Sequence, residues 1–337
     1  MMQQEPEFER IDQLAIGLVA SKVLLSAIDL GLFTELAKGP LSAEQIRQRL
    51  GLHPRSIRDF LDALVTMQML ERRDGIYANT AETHFYLDRA KPSYIGGIYQ
   101  MFSTRLYPFL ASLTEGLRTG KPQNEIKGGE SIFDALYRDP QKLKQFLAAM
   151  TGLSLPSAKA MAAKFPWRDC RTFIDVGCAQ GGVPVQIAQT HPYLTGGGFD
   201  LPMVRPIFEE YVSSFGLQDR LHFVAGDFMR DALPRADALI MGHILHDWNL
   251  DQKRMLLRKA YDALTNDGSL IVYERLIDDE RRQNLAGLLE SLLMLIETQE
   301  GFDYTGADCC KWMREVGFRE TRVEQLTGPE WMVVGIK

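Results

Sequence analysis

The chain has 337 residues, more than one ordinary core holds and a length that predicts about two domains. Its residues are 45% hydrophobic and 24% charged, which excludes a disordered chain and describes a soluble globular one. A formal net charge of -6 argues against nucleic acid as the main partner, because phosphate binding favours a basic surface.

Met1 to Arg10 is polar and acidic, unlike a secretory leader. The longest apolar stretch, Leu14 to Phe33, is broken by Lys22, Ser26 and Asp29, and that spacing predicts an amphipathic buried helix, not a membrane span. Ser42 and Gln45 form a capping box that opens a helix stopped by Gly51. A second helix is predicted from Pro54 through Met69, with Ile57, Phe60, Leu61, Leu64 and Val65 on one face. Leu70 to Asn79, turning at Asp74-Gly75, reads as a hairpin, so the region carries a winged-helix signature. Residues 91 to 165 read as mostly helical and rich in Met, Phe and Tyr, punctuated at Gly120-Lys121-Pro122 and Lys127-Gly128-Gly129.

From residue 171 short apolar runs alternate with amphipathic helices. Strands are predicted over 173–177, 197–200, 221–225, 238–242 and 269–275, with helices near 182–190, 203–215, 250–264 and 285–298. Such alternation implies an α/β domain built on a buried parallel sheet. Residues 319 to 337 read as two strands joined at Gly328-Pro329. The pattern divides the chain at 1–90, 91–165 and 166–337. Cys170, Cys178, Cys309 and Cys310 show neither metal spacing nor a disulfide framework, which predicts a reduced, cytoplasmic protein.

The run Phe173-Ile174-Asp175-Val176-Gly177-Cys178-Ala179-Gln180-Gly181-Gly182 is a strand entering a turn of small residues and then a helix. Small residues admit a ligand close to the backbone, and a helix N-terminus favours a carboxylate or phosphate. Asp200, ending the next predicted strand, is placed to accept hydrogen bonds from ribose hydroxyls. These two features fit a nicotinamide enzyme or a methyltransferase equally, and a tight turn without ligand is the plain alternative. Ala179 stands where a dinucleotide fingerprint has its second glycine. Asp175 and Asp227 form an acidic lining that tolerates a cationic sulfonium cofactor and repels a pyrophosphate, and Phe228 offers a face for adenine. Taken alone, Asp227 reads equally as a helix cap.

Gly242-His243-Ile244-Leu245-His246-Asp247-Trp248-Asn249 follows the fourth strand, where α/β sites assemble. Histidine is the side chain best suited to take a proton near neutral pH, so His246 is the candidate base. Glu274, at the end of the neighbouring strand, is placed to hold one imidazole nitrogen, and Asp303 could do so from another side. His243 is ambiguous: with His246, Glu274 and Asp303 it could complete a metal site. Strand geometry turns the two histidines apart unless a turn has begun. Asn249 and Gln252 make a capping box for the next helix.

These residues resemble the caffeate and acetylserotonin O-methyltransferase family. The likeness runs from Ala27-Ile28-Asp29-Leu30-Gly31-Leu32-Phe33 through Asp175-Val176-Gly177, Phe199-Asp200-Leu201-Pro202 and Gly226-Asp227 to Leu245-His246-Asp247-Trp248. It implies a Rossmann-like class I methyltransferase sheet of seven strands, the last antiparallel, behind an N-terminal α-helical winged-helix domain that forms a homodimer, its first helix crossing between subunits. It also implies that S-adenosylmethionine is held by Gly177, Asp200, Asp227 and Phe228, and that His246 is the base flanked by Glu274 and Asp303. The family usually has Glu at position 303, and plant members have a lysine where Gly242 stands.

The expected reaction is methyl transfer to a small-molecule hydroxyl, of phenolic type, with no bound metal. Tyr99, Met101, Phe102, Met150, Trp248 and Met294 are candidate acceptor-lining residues. Rival readings are metal-assisted C-methylation of a 2-oxo acid, a nicotinamide oxidoreductase, and a winged-helix DNA-binding regulator using Arg55 and Arg58. The net acidity and the alternation of those arginines with Ile57, Phe60 and Leu61 weigh against the last.

Overall fold

A computed structural model of the chain describes residues 8–91, 93–125 and 139–337. The segments 1–7 and Lys127-Gly128-Gly129 lie outside the described residues. The chain forms two compact units, Met1–Pro108 and Phe109–Lys337.

In the first unit the capping box at Ser42 is formed: its hydroxyl accepts from Gln45 N, and the Gln45 side chain accepts from Ser42 N. That helix, Ala43–Leu50, ends at Gly51 with φ +66, a left-handed residue that glycine adopts without steric cost. The next helix is Ile57–Thr66, shorter at both ends than the predicted 54–69. Gln68, with φ +61, breaks it before the hairpin. Strand β1 (Leu41–Ser42) pairs with β3 (Ile76–Asn79), which pairs with β2 (Leu70–Arg73). Asp74 and Gly75 both take positive φ, the two-residue turn that matches strand twist. Leu32, Phe33, Ile46, Leu61 and Leu64 close the core of this unit.

One expectation is corrected here. The first helix, Glu9–Asp29, buries only Leu25, Ala27 and Ile28. Ile11, Leu14, Ile16, Leu18 and Val19 are each more than half exposed. Its apolar residues lie on all sides with no single stripe, so one chain cannot cover them. By length and composition this helix could also cross a membrane.

The second unit is built on a seven-stranded sheet ordered β6-β5-β4-β7-β8-β10-β9. Its strands are β4 (Thr172–Val176), β5 (Thr195–Asp200), β6 (Leu221–Ala225), β7 (Ala236–Gly242), β8 (Leu264–Glu274), β9 (Glu320–Thr327) and β10 (Glu330–Ile336). The pairs from β6 to β8 are parallel, and β10 runs antiparallel to both β8 and β9. Alternation explains why the strands read as continuous apolar runs. On β7, Ala238 and Ile240 enter one core while Leu239 and Met241 enter the other; on β8, Ile271 and Tyr273 oppose Leu270 and Val272 in the same way.

The helices Gly182–Thr190, Arg205–Ser214, Leu250–Ala263 and Leu285–Glu297 fall where the pattern predicts them. A further helix, Gly306–Val316, was not foreseen; a Thr305/Asp308 capping box opens it. All four cysteines are free and buried.

Candidate active site

The site lies within the second unit, past the carboxyl ends of β4 to β8. Strand order reverses between β4 and its neighbours β5 and β7, and open α/β sheets bind ligands at such a point. After β4, Gly177 (φ +73), Ala179 (φ +48) and Gly181 (φ +94) coil the chain tightly. The positive φ of Gly177 favours glycine, and a Cβ there would also sit 2.3 Å from Ile244 Cδ1. Gly177 N donates to Phe199 O at 2.8 Å, pinning the turn to the end of β5. No side chain caps the Gly182–Thr190 helix at Gly181, so its first amides remain free for an anionic group.

Asp200 is buried beneath this turn. Its Oδ2 accepts from Ala179 N at 3.0 Å and its Oδ1 from Leu201 N at 2.8 Å, leaving a lone pair on each oxygen. Burial pushes its carboxyl up to about 6 although both amides pull it down. Asp175 is buried too, and with Asp200 beside it is pushed well above the carboxylate range. Asp227 is one-third exposed; its Oδ1 accepts from Met229 N and its Oδ2 lies 3.4 Å from Arg230. No helix follows Asp227 before β7, so its side chain closes a turn and does not cap a helix as the plain reading expected. Phe228 stands edge-on to Trp248, ring centroids 5.9 Å apart, and close to Gly177. Gly177, Asp200 and Phe228 are therefore brought together, while Asp227 is engaged in its own turn.

The segment bearing the two histidines begins at Gly242. A Cβ there would meet the buried Tyr273 ring at 2.0 Å. His243 takes φ +53, a left-handed conformation uncommon for a side chain of this size, and a 3₁₀ turn runs from Leu245 to Asp247. Because the turn begins at His243, the two imidazoles face each other, centroids 5.6 Å apart. The Asn249/Gln252 capping box then starts the Leu250–Ala263 helix.

His246 is 5% exposed. Its Nδ1 faces Asp303 Oδ1 at 3.4 Å and its Nε2 faces Asp247 Oδ1 at 3.6 Å. Glu274 Oε1 accepts the His246 backbone N–H at 3.2 Å, which fixes the turn, while its charge also bears on the ring. Asp303, through its own N–H, is held by Ser291 Oγ at 3.1 Å. Burial alone would lower the His246 pKa, but Glu274, Asp247 and Asp303 outweigh it, so the imidazole holds its proton well above the ordinary histidine range. Burial raises Asp247 and pushes Glu274 up to about 7.

Several residues in this site carried no motif. Glu330 reaches His243 Nε2 at 3.4 Å and Arg275 Nε at 3.0 Å, and Arg275 also binds Glu290 at 2.8 Å. Lys253, fully buried, lies beside the acids. Its spacing from Leu256, Leu257 and Ala260 puts it on the buried face of its helix, and only its charge reads as surface. Metal-ligand atoms of His246, Glu274 and Asp303 lie within 4.8 Å of one another, as do those of His243, His246 and Glu290. His243 does not join Glu274 and Asp303 in one set, and an ammonium next to both acids opposes a divalent cation. Of the candidate acceptor-lining residues, Tyr99, Met101 and Phe102 belong to the first unit and Met150, Trp248 and Met294 to the second.

Residues 110–319 match the model of the O-methyltransferase domain, and residues 12–89 match that of the O-methyltransferase dimerisation domain. The chain belongs to the O-methyltransferase family. It is 40% identical over 326 residues to the tetracenomycin polyketide synthesis 8-O-methyl transferase TcmO of Streptomyces glaucescens, covering 96% of this chain and 95% of that one. It is 33% identical over 330 residues to the N,N-dimethyltransferase OxyT of Streptomyces rimosus, covering 96% and 95%. The crystal structure of human N-acetylserotonin methyltransferase with S-adenosylmethionine superposes with a TM-score of 0.90 at 25% identity, covering 100% and 99% of the two chains.

This O-methyltransferase is thus an S-adenosylmethionine-dependent enzyme acting on small molecules. The winged-helix region is a dimerisation domain by its match, and no finding supports the DNA-binding, nicotinamide or metal-assisted readings.

Proposed function

We propose that this O-methyltransferase methylates a phenolic hydroxyl of an aromatic, polyketide-type small molecule, with His246 as general base. The observation that carries the reading is the buried His246 imidazole between Asp303 and Asp247, two residues after Ile244, whose side chain packs against Gly177. The aromatic-polyketide relative at 40% identity supports the acceptor class.

Gly177, Asp200 and Phe228 fit S-adenosylmethionine: a glycine turn, a buried carboxylate with spare lone pairs, and an aromatic face. Uncapped amides at Gly182 suit its carboxylate, and Asp227 adds negative charge at the rim. Bound there, the cofactor supplies an electrophilic methyl group. Asp303 holds His246 Nδ1, which directs the other nitrogen to the acceptor. In its neutral form, which rising pH populates, His246 takes the hydroxyl proton as the oxygen becomes nucleophilic, and the resulting imidazolium is stabilised by Asp303 and Asp247. Base catalysis of this kind contributes about 10²–10⁴-fold. Met150, Trp248 and Met294 are apolar contacts suited to a flat ring.

The exposed apolar side chains of the first helix, inside the dimerisation match, support a homodimer. Free buried cysteines suit a reducing cytoplasm. Mass spectrometry of purified enzyme with S-adenosylmethionine and a panel of hydroxynaphthoates, hydroxyanthraquinones, aromatic amines and 2-oxo acids tests the function. Gain of one methyl group on a phenol is expected. Gain on an amine or a 2-oxo acid, with none on any phenol, would refute it.

A further inference from the structure

Lys253 is fully buried in the first turn of the Leu250–Ala263 helix. Two forces oppose an ammonium there. Burial strips its hydration, and the N-terminal end of a helix repels positive charge. A side chain kept only for packing would be apolar, since replacing buried charge with well-packed hydrophobic groups is often neutral or stabilising.

Its neighbours show what the charge does. Nζ donates to Trp248 O at 2.5 Å and to Phe302 O at 2.9 Å. It also lies over the Phe302 ring, 3.6 Å from the centroid, and 5.5 Å from that of Tyr304. One acceptor carbonyl is two residues after His246; the other immediately precedes Asp303. The ammonium therefore joins the segment bearing the base to the segment bearing its acidic partner. The titratable groups facing it are Glu274, Asp303, Asp247 and Cys309, and Glu274 and Asp247 themselves face His246. Burial lowers the Lys253 pKa to about 8 while those acids resist the fall.

We propose that Lys253 is a positioning residue for methyl transfer: it clamps the His246 turn to the Asp303 segment and supplies the positive charge that balances the acids around the base. The proposal rests on His246 being the base. The role has two separable parts, a tether and a charge. Lys253→Met removes both; Lys253→Gln keeps a neutral amide donor for the carbonyls and removes the charge.

The test is an NMR titration of the His246 imidazole in the cofactor-free full-length enzyme, run beside pH profiles of kcat/KM with a phenol that gives turnover. Without the ammonium the acids weigh more heavily on His246, so its titration midpoint should rise by about half a pH unit or more in both variants. The acid limb of kcat/KM should move the same way. Lys253→Met should also lose about 10²-fold in kcat, as a misplaced catalytic group does, and Lys253→Gln should lose less. Melting temperatures and calorimetry with S-adenosylmethionine establish that each variant is folded, and Lys253→Gln serves if Lys253→Met is not. An unmoved midpoint and an unmoved pH limb in a folded variant would overturn the proposal. Turnover surviving in His246→Ala would instead overturn the base, and the role of Lys253 with it.

Discussion

Asp200 shows how much one buried carboxylate carries. Two amides hold it, burial pushes it up to about 6, and its remaining lone pairs are the natural partners for the cofactor's ribose. Lowering the pH through about 6 protonates Asp200 and converts an acceptor into a donor, so S-adenosylmethionine affinity should fall on acidification. Asp200→Ala should weaken binding about 10–100-fold by calorimetry, the worth of hydrogen bonds to a charged group. Affinity that stays flat across pH 5 to 8 would show that the carboxylate does not touch the ribose. The sequence marked Asp200 because it ends a strand after the glycine turn. It did not mark Lys253: spacing to Leu256, Leu257 and Ala260 puts that residue on the buried face, but its charge reads as surface. The part played by Glu274 was half legible: its strand-end position was, but its choice of the His246 backbone N–H over the ring depended on a left-handed turn at His243 that no motif announces.

At the scale of elements, local chemistry predicted boundaries well wherever a cap exists. Ser42/Gln45, Asn249/Gln252 and the Asp74-Gly75 turn form as their side chains dictate. The Gly306–Val316 helix was missed although Thr305 and Asp308 carry the same signal. The first helix is the instructive error. Its apolar composition was read correctly although it spans Glu9–Asp29 and not Leu14 to Phe33, but burial is a property of partners, and within one chain Leu14 and Leu18 are 74% and 60% exposed. These two, four residues apart, share one helix face. Leu14→Lys with Leu18→Lys should therefore convert a two-chain particle into single chains by sedimentation, leaving the far-ultraviolet circular dichroism intact. A parent enzyme that sediments as one chain, or a double variant that still sediments as two, would contradict dimerisation through this helix.

Across the whole molecule, the sheet order puts the glycine turn, Asp200, the base turn and Glu274 at the ends of adjacent strands, so residues far apart in sequence converge on one edge. The resemblance implied seven strands with the last antiparallel, and periodicity could not supply their order, because alternating strands and helices fix a parallel sheet without fixing which strand lies next to which. The same sheet edge carries the glycine turn proposed for the cofactor and a buried imidazole whose three carboxylate neighbours keep its proton affinity high. The central claim is that this imidazole removes the acceptor's proton while cofactor binding rests on other residues. Turnover and S-adenosylmethionine affinity measured side by side in His246→Ala test it most directly. In that variant kcat should fall about 10²–10⁴-fold with affinity near that of the parent; turnover within a few-fold of the parent would show that His246 is not the base.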